Sequence, residues 1–250
     1  MSGLSGVTAI AAGGNYSLAL KSDGTVLAWG RIWDGTDSNT PAVVSGLTGV
    51  IAMATGYLEP SGRSHALVLK GDGTVWAWGD NIYGQLGDGT TTPSTTPVQV
   101  SGLTDVTSIG AGGAHSLARK GDGTVWGWGY GGNGQLCNGN NTIYAPTQVL
   151  TGVSAIAAGG YHTLARKGDG TVWACGWNPS GQLGDGTLTN RYTPVQVSGL
   201  TDVTSIGAGG FHSLARKGDG TVWGWGDNSF GQTGDGNDRT SPAQVSGFSL

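Results

Sequence analysis

One phrase recurs five times along this chain, and nothing else in the sequence restricts the fold as strongly. AGGAHSLARKGDGTVWGWG, around His115, returns with few changes at His162 and His212, more loosely at His65, and with Tyr16 in the histidine's place at the start. The equivalent positions lie 49, 50, 47 and 50 residues apart. Self-similarity at this period marks an assembly of small units, each unable to bury its own faces, that stack to make a common core. The units are expected at 1–48, 49–104, 105–151, 152–201 and 202–250, in one domain.

The third copy shows what one unit is. Val106–Ile109 reads as a short strand, A, ended by Gly112-Gly113, and His115–Arg119 as strand B. Lys120-Gly121-Asp122-Gly123 is a hairpin turn, because Asp-Gly tolerates the positive backbone angles that a tight reversal needs. Thr124–Trp128 is strand C, and a long polar loop leads to a short strand D at 146–149. Proline at the start of D suits an edge, where a missing donor costs little. No segment has the length or period of a helix. The chain is therefore read as all-β, five four-stranded blades of a β-propeller, either a closed ring or an arc of a larger one. The 50 glycines and 10 tryptophans fit this, small side chains lining crowded inner strands and indoles filling the gaps between sheets.

Composition removes several classes of function. The net charge is −4, which argues against a broad nucleic-acid surface. No apolar run reaches membrane length, and the start, MSGLSGVTAI, has neither the basic residues nor the apolar core of a signal peptide. A soluble protein of unassigned compartment is expected. Cys137 stands where other copies have Gly87 and Gly184, and Cys175 where others have Trp78, Trp128 and Trp225. The two read as separate substitutions, which predicts two plain thiols.

No motif reads as catalytic or cofactor-binding. His65, His115, His162 and His212 share one repeat position, so neighbouring blades hold them about 10 Å apart, too far to chelate one ion. A structural role is expected for them, and for Trp78, Trp128 and Trp225. The Asp-Gly turns each offer a single carboxylate, the loop at 227–240 lacks a calcium-loop pattern, and GAGG has no helix after it to receive a phosphate. Ser116 and Ser213 directly follow histidines and point to the other face of the strand, so they form no nucleophile–base pair. The expectation is a protein that is not an enzyme and carries no metal or cofactor.

At this point the residues resemble a known family. IGAGGxHSLA, DGTVWxWG, NxxGQLGDG and PxQV recur in order, as in the RCC1 (regulator of chromosome condensation) repeat, here of bacterial type. The resemblance covers essentially the whole chain. It implies a propeller, usually seven-bladed, with the shared histidine as part of the framework. It also implies that the common function is protein binding: the eukaryotic namesake is a nucleotide-exchange factor that contacts chromatin, and bacterial relatives include enzyme inhibitors. No pattern here points to a GTPase partner.

Specific function must then sit where the copies differ. Alternating strand direction puts the A–B and C–D connections on one face, and the Asp-Gly turns with the SGLTD links on the other. The first face varies most. Copy 2 inserts a segment that runs Tyr57, Leu58, Glu59, then on to Arg63. Copy 1 replaces GQLGDG with a shorter stretch containing Arg31 and Trp33, while Tyr83, Tyr130, Trp177 and Phe230 occupy the same loop region in the other copies. Aromatics and arginines on loops of a rigid scaffold suit a protein-binding surface. These ten residues are the binding candidates, with another protein as partner. The alternative is a structural module that self-assembles, as a homo-oligomer or by completing a ring with another chain. The opposite face carries a basic rim of Lys21, Lys70, Lys120, Lys167 and Lys217 with Arg119, Arg166 and Arg216, offset by the turn aspartates.

Overall fold

The computed structural model describes residues 4–31, 37–58, 62–139, 141–234 and 236–246. Among the described residues, twenty strands form five four-stranded antiparallel sheets, each a simple meander. The first is β1 (Val7–Gly13), β2 (Tyr16–Lys21), β3 (Val26–Arg31) and β4 (Asp37–Val43); the second is β5 (Val50–Leu58), β6 (Arg63–Lys70), β7 (Val75–Gly79) and β8 (Ser94–Gln99). The third is β9 (Val106–Ala111), β10 (His115–Lys120), β11 (Val125–Gly129) and β12 (Ile143–Leu150). The fourth is β13 (Val153–Ala158), β14 (His162–Lys167), β15 (Val172–Gly176) and β16 (Arg191–Gln196), and the fifth is β17 (Val203–Ala208), β18 (His212–Lys217), β19 (Val222–Gly226) and β20 (Arg239–Gln244). Successive sheets pack through their first two strands, β1 on β5, β5 on β9, β9 on β13 and β13 on β17, which arranges them as a propeller-like arc.

The hairpins form as the Asp-Gly signal requires, with one refinement. Only the glycine takes the left-handed conformation, Gly123 at φ 83°. Asp122 instead accepts hydrogen bonds from the Thr124 N–H (2.9 Å) and hydroxyl (2.7 Å), which hold its carboxyl below the usual range. Strand D also differs from expectation. Pro146 is the fourth residue of β12, not the first, and it sits where the β11–β12 register shifts between Gly127 and Gly129, so its missing donor falls at an irregularity of an edge strand.

The apolar core lies between blades rather than within them. One cluster joins the first two sheets through Leu18, Leu20, Val68 and Trp78; a second joins the next pair through Leu67, Leu69, Leu86 and Trp128; a third joins the last pair through Leu164, Leu183 and Trp225. The seam between the third and fourth sheets has the smallest cluster, Leu117, Val125, Val153 and Ala165, with no tryptophan.

That seam overturns the expectation of two free thiols. Cys137 and Cys175 form a disulfide, with Cα atoms 5.4 Å apart. At the other seams the equivalent glycine packs directly on the next blade's indole: a Cβ at Gly87 would lie 2.6 Å from Trp128 Nε1, and one at Gly184 would lie 2.7 Å from Trp225 Nε1. The two cysteines therefore replace a glycine–tryptophan pair that already faces itself across a blade seam. Cys137 keeps the glycine's left-handed backbone, φ 60° against 69° and 67° at Gly87 and Gly184.

Candidate functional site

The repeat histidines build the seams. His65 Nε2 lies 2.9 Å from Ser116 Oγ of the next blade, His115 Nε2 lies 3.1 Å from Thr163 Oγ1, and His162 Nε2 lies 2.9 Å from Ser213 Oγ. Each hydroxyl in turn donates to a carbonyl of the histidine's own blade, Gln85, Gln135 or Gln182, at 2.8 Å. A hydroxyl has one proton. Because it goes to the carbonyl, the ring nitrogen must donate, which places a proton on Nε2; burial disfavours a second proton, so each imidazole is neutral with Nδ1 unprotonated. The serines that follow the histidines thus serve the preceding blade's ring, not their neighbour's. Burial pushes His65 down to about 4 and His115 and His162 to about 3. Trp128 and Trp225 donate to the same Gln85 and Gln182 carbonyls, each at 2.9 Å.

The basic rim of the opposite face is also bound up in the fold. Lys70, Lys120, Lys167 and Lys217 lie over Trp76, Trp126, Trp173 and Trp223 at 4.2–5.6 Å from the ring centroids. Those four tryptophans are half-buried on the turn side, in contrast to Trp128 and Trp225. Arg119 and Arg166 donate to the Val153 and Val203 carbonyls of the following blade.

Three loops of the first face are held from within by hydrogen bonds. In the second, fourth and fifth blades a buried asparagine, Asn81, Asn178 or Asn228, accepts the N–H of Leu86, Leu183 or Thr233. Asn81 and Asn178 also donate to Thr92 and Thr189 carbonyls across the same loop. The NxxGQLGDG phrase is therefore a loop clamped from inside.

On this frame sit the side chains that vary. Tyr83 and Tyr130 pair across the second and third blades, with ring centroids 4.8 Å apart. Trp177 packs on Tyr161 (6.0 Å) and Phe211 (5.2 Å), and Tyr161 stacks on Phe211 at 5.9 Å. Phe230 is 94% exposed. Arg31 ends β3 at the surface. The inserted segment of the second copy mostly lengthens a hairpin, with Tyr57 opposite Ser64 and Leu58 opposite Arg63. The Tyr57 ring covers Gly14, and Arg63 contacts the buried Asp80 at 3.2 Å. Trp33 and Glu59 lie outside the described residues. Tyr161 and Phe211 were not among the candidates. Their signal was available: the position before the repeat histidine reads Asn15, Ser64, Ala114, Tyr161, Phe211 within an otherwise steady phrase.

Tyr130 and Trp177 occupy a position that is aspartate in two other blades. There the carboxylate accepts the buried glutamine amide, Gln85 Nε2 to Asp80 at 2.9 Å and Gln232 Nε2 to Asp227 at 2.7 Å. With the aspartate gone, Gln135 Nε2 and Gln182 Nε2 are buried without a partner. An orphaned buried amide costs about 1–3 kcal/mol, more than an exposed-edge aromatic pair returns, about 0.5–1.5 kcal/mol. Restoring an acceptor with Tyr130→Asn is expected to raise stability by about 1 kcal/mol. Asparagine is chosen because no arginine stands here as Arg63 does beside Asp80. A urea midpoint that falls, at unchanged slope, would contradict this account of the amide.

The glycine turns of blades three to five join in a chain around the inner edge, Gly113 N–H to the Gly160 carbonyl (3.0 Å) and Gly160 N–H to the Gly209 carbonyl (3.1 Å). They floor a cleft of about 460 Å³ on the loop face, walled by Tyr57, Tyr161, Phe211, His212, Asp227 and Phe230. Among the described residues no group of three or more His, Cys, Asp or Glu is placed to hold a metal. Among the described residues no helix is long and apolar enough to cross a membrane.

Comparison with known proteins agrees with this architecture. The model of the RCC1-like domain matches residues 1–249. A search of curated proteins found no match. Among solved structures, Prp20p from Saccharomyces cerevisiae, studied with its binding properties to Gsp1p and histones, superposes with a TM-score of 0.82 at 25% identity, over 96% of this chain and 63% of that one. The structure of Kap60 bound to yeast RCC1 (Prp20) gives 0.81 at 25% identity, over 96% and 61%. Human WBSCR16 gives 0.84 at 24% identity, over 96% and 67%, a likeness of fold. The chain thus spans about three fifths of the length of the two yeast structures.

Proposed function

Because this chain belongs to the RCC1-like domain family, we propose that it is a non-catalytic scaffold that binds another protein through its A–B/C–D loop face. One observation carries the reading. Two blades leave a buried glutamine amide unpaired, and the residues responsible are Tyr130 and Trp177, aromatic rings held on the loop face. Where a local rule is broken at a stability cost, function is the expected compensation. Aromatic side chains on rigid loops are the usual anchors of protein interfaces. Tyr83, Tyr130, Trp177 and Phe230 are the central contacts, joined by Tyr161 and Phe211; Tyr57 and Arg63 shape the surface, and Arg31, Trp33, Leu58 and Glu59 are further candidates. The binding of Gsp1p and histones by the yeast relative is protein binding on the same fold. The bacterial-type placement rests on the repeat phrases alone.

A second reading has its own support. The fifth blade presents one half of a seam, with His212, the Gln232 carbonyl and Gly234 equivalent to His162, Gln182 and Gly184. The first blade presents the other half, Ser17 and Trp29, both half-buried where Ser116 and Trp128 are fully buried. These end faces suit docking of a further blade or chain.

One experiment separates the two. A photo-crosslinking residue is placed at position 83 or 230 on the loop face, at 122 on the turn face, or at 29 on the end face, and exposed to an extract of the source cells. Heterologous adducts from 83 and 230 but not 122 are expected. Adducts from 122 alone would overturn the loop-face assignment, and crosslinked multimers of the chain from 29 alone would favour self-assembly.

A further inference from the structure

Resting on the loop-face reading, we infer that the inner cleft receives an arginine or lysine side chain from a basic segment of the protein partner, with Asp227 as its counter-ion. The first reason is the supply of hydrogen-bonding groups. Gly112, Gly159 and Gly209 N–H donate to the carbonyls of His115, His162 and His212, and Gly113 and Gly160 N–H donate to the next blade's turn. These five backbone donors of the cleft floor are spent, so none of them is left for the nest of N–H groups that an anion requires. The lining brings the Asp227 carboxylate together with the hydroxyl-bearing residues Thr55, Tyr57 and Tyr161, beside His212 and Gln232. No lysine or arginine is among the described lining residues.

The second reason is the aromatic wall. The stacked pair Tyr161–Phe211 and the exposed Phe230 border the cleft beside Asp227. A cation beside ring faces and a carboxylate gains from both, and a guanidinium also matches the flat ring. Asp227 stays ionised, its carboxyl held below the usual range by the Ser229 hydroxyl and backbone N–H.

The third reason is charge distribution over the chain. The segments that join A to B and C to D, with the strand ends that flank them, contain nine of the sixteen acidic residues and four of the twelve basic ones. The opposite face holds the remaining eight basic and seven acidic residues. Those segments thus carry the chain's whole negative excess, a charge that draws a basic partner and weakens with salt.

The probes are two capped dodecapeptides, alternating Gly-Arg and alternating Gly-Glu, titrated into ¹⁵N-labelled protein at low and at physiological salt. The Gly-Arg peptide is expected to shift the amides of 112–113, 159–161 and 209–212, to bind more weakly at the higher salt, and to lose about tenfold in affinity with Asp227→Asn. Phe230→Ala, at a side chain too exposed to support the fold, is expected to lose about threefold. Preference for Gly-Glu, no binding of Gly-Arg, or unchanged affinity in both variants would overturn the proposal. Loop-face crosslinks from position 83, outside the cleft, report on the broader reading separately: present without Gly-Arg binding, they would leave protein binding standing and refute the cation assignment alone.

Discussion

Acidification from pH 7 to pH 5 is expected to remove roughly 5–6 kcal/mol of stability, enough to unfold many domains of ordinary stability. The cause is the set of neutral imidazoles at the seams. Burial, aided at His115 and His162 by like charge on neighbouring rings, holds His115 and His162 at about 3 and His65 at about 4. In the unfolded chain each titrates near 6.5. Below that value the unfolded state binds protons that the folded state refuses, so stability is full above about pH 6.5 and falls as pH drops toward the folded values. Each ring contributes about 1.4 kcal/mol per pH unit, and three contribute roughly 4 kcal/mol per unit. His212, half-buried beside Asp227 and shifted down less completely, adds a smaller share in the same direction. Urea unfolding across pH 7.5 to 5 measures the slope. His162→Gln is expected to lower stability at pH 7 while reducing the slope by about a third. A flat profile between pH 7 and 5 would show that the rings are not buried neutral.

Loss of the Cys137–Cys175 bond is expected to cost about 4 kcal/mol, the chain-entropy value for residues 38 apart, in the seam with the smallest apolar cluster. The stronger test is a swap. Cys137→Gly with Cys175→Trp recreates the pair used at the Gly87–Trp128 and Gly184–Trp225 seams, including an indole that can reach the Gln135 carbonyl as Trp128 reaches Gln85. The double variant is expected to recover most of the lost stability without a covalent bond. Cys175→Trp alone is expected to be worse than either, because a Cβ at position 137 would meet the indole as closely as the 2.6 Å found at Gly87. Denaturation of the four proteins, with and without reductant, closes the cycle. Additive effects would mean that the two positions do not form one site.

The architecture was legible because it is written in local chemistry and repetition. Asp-Gly between two alternating runs specifies a hairpin wherever it occurs, and five hairpins at one spacing specify blades. That the repeat histidines share one position in successive blades followed from their spacing. Their partners did not, because Ser116, Thr163 and Ser213 belong to the next blade, about fifty residues on, and beside a histidine in sequence they suggest only that the two point apart. The cysteines failed for the same reason: two departures from the consensus at different repeat positions look unrelated until the seam brings them within 5.4 Å. The aromatic candidates were visible as differences between copies. The cost that makes Tyr130 and Trp177 informative, two stranded glutamine amides, is visible only once burial is known.

By itself, then, the sequence determined the unit: strand order, turn chemistry, the face on which variation collects, and the number of blades. Those depend on residues within one copy, where sequence neighbours are also neighbours in space. Only the tertiary structure decided the seams: neutral histidines that donate across them, a disulfide in place of a glycine and an indole, and a cleft floored by glycine turns that bond from blade to blade. Each of these depends on residues of two or more blades meeting, and a repeating sequence describes every blade alike without saying what each one touches.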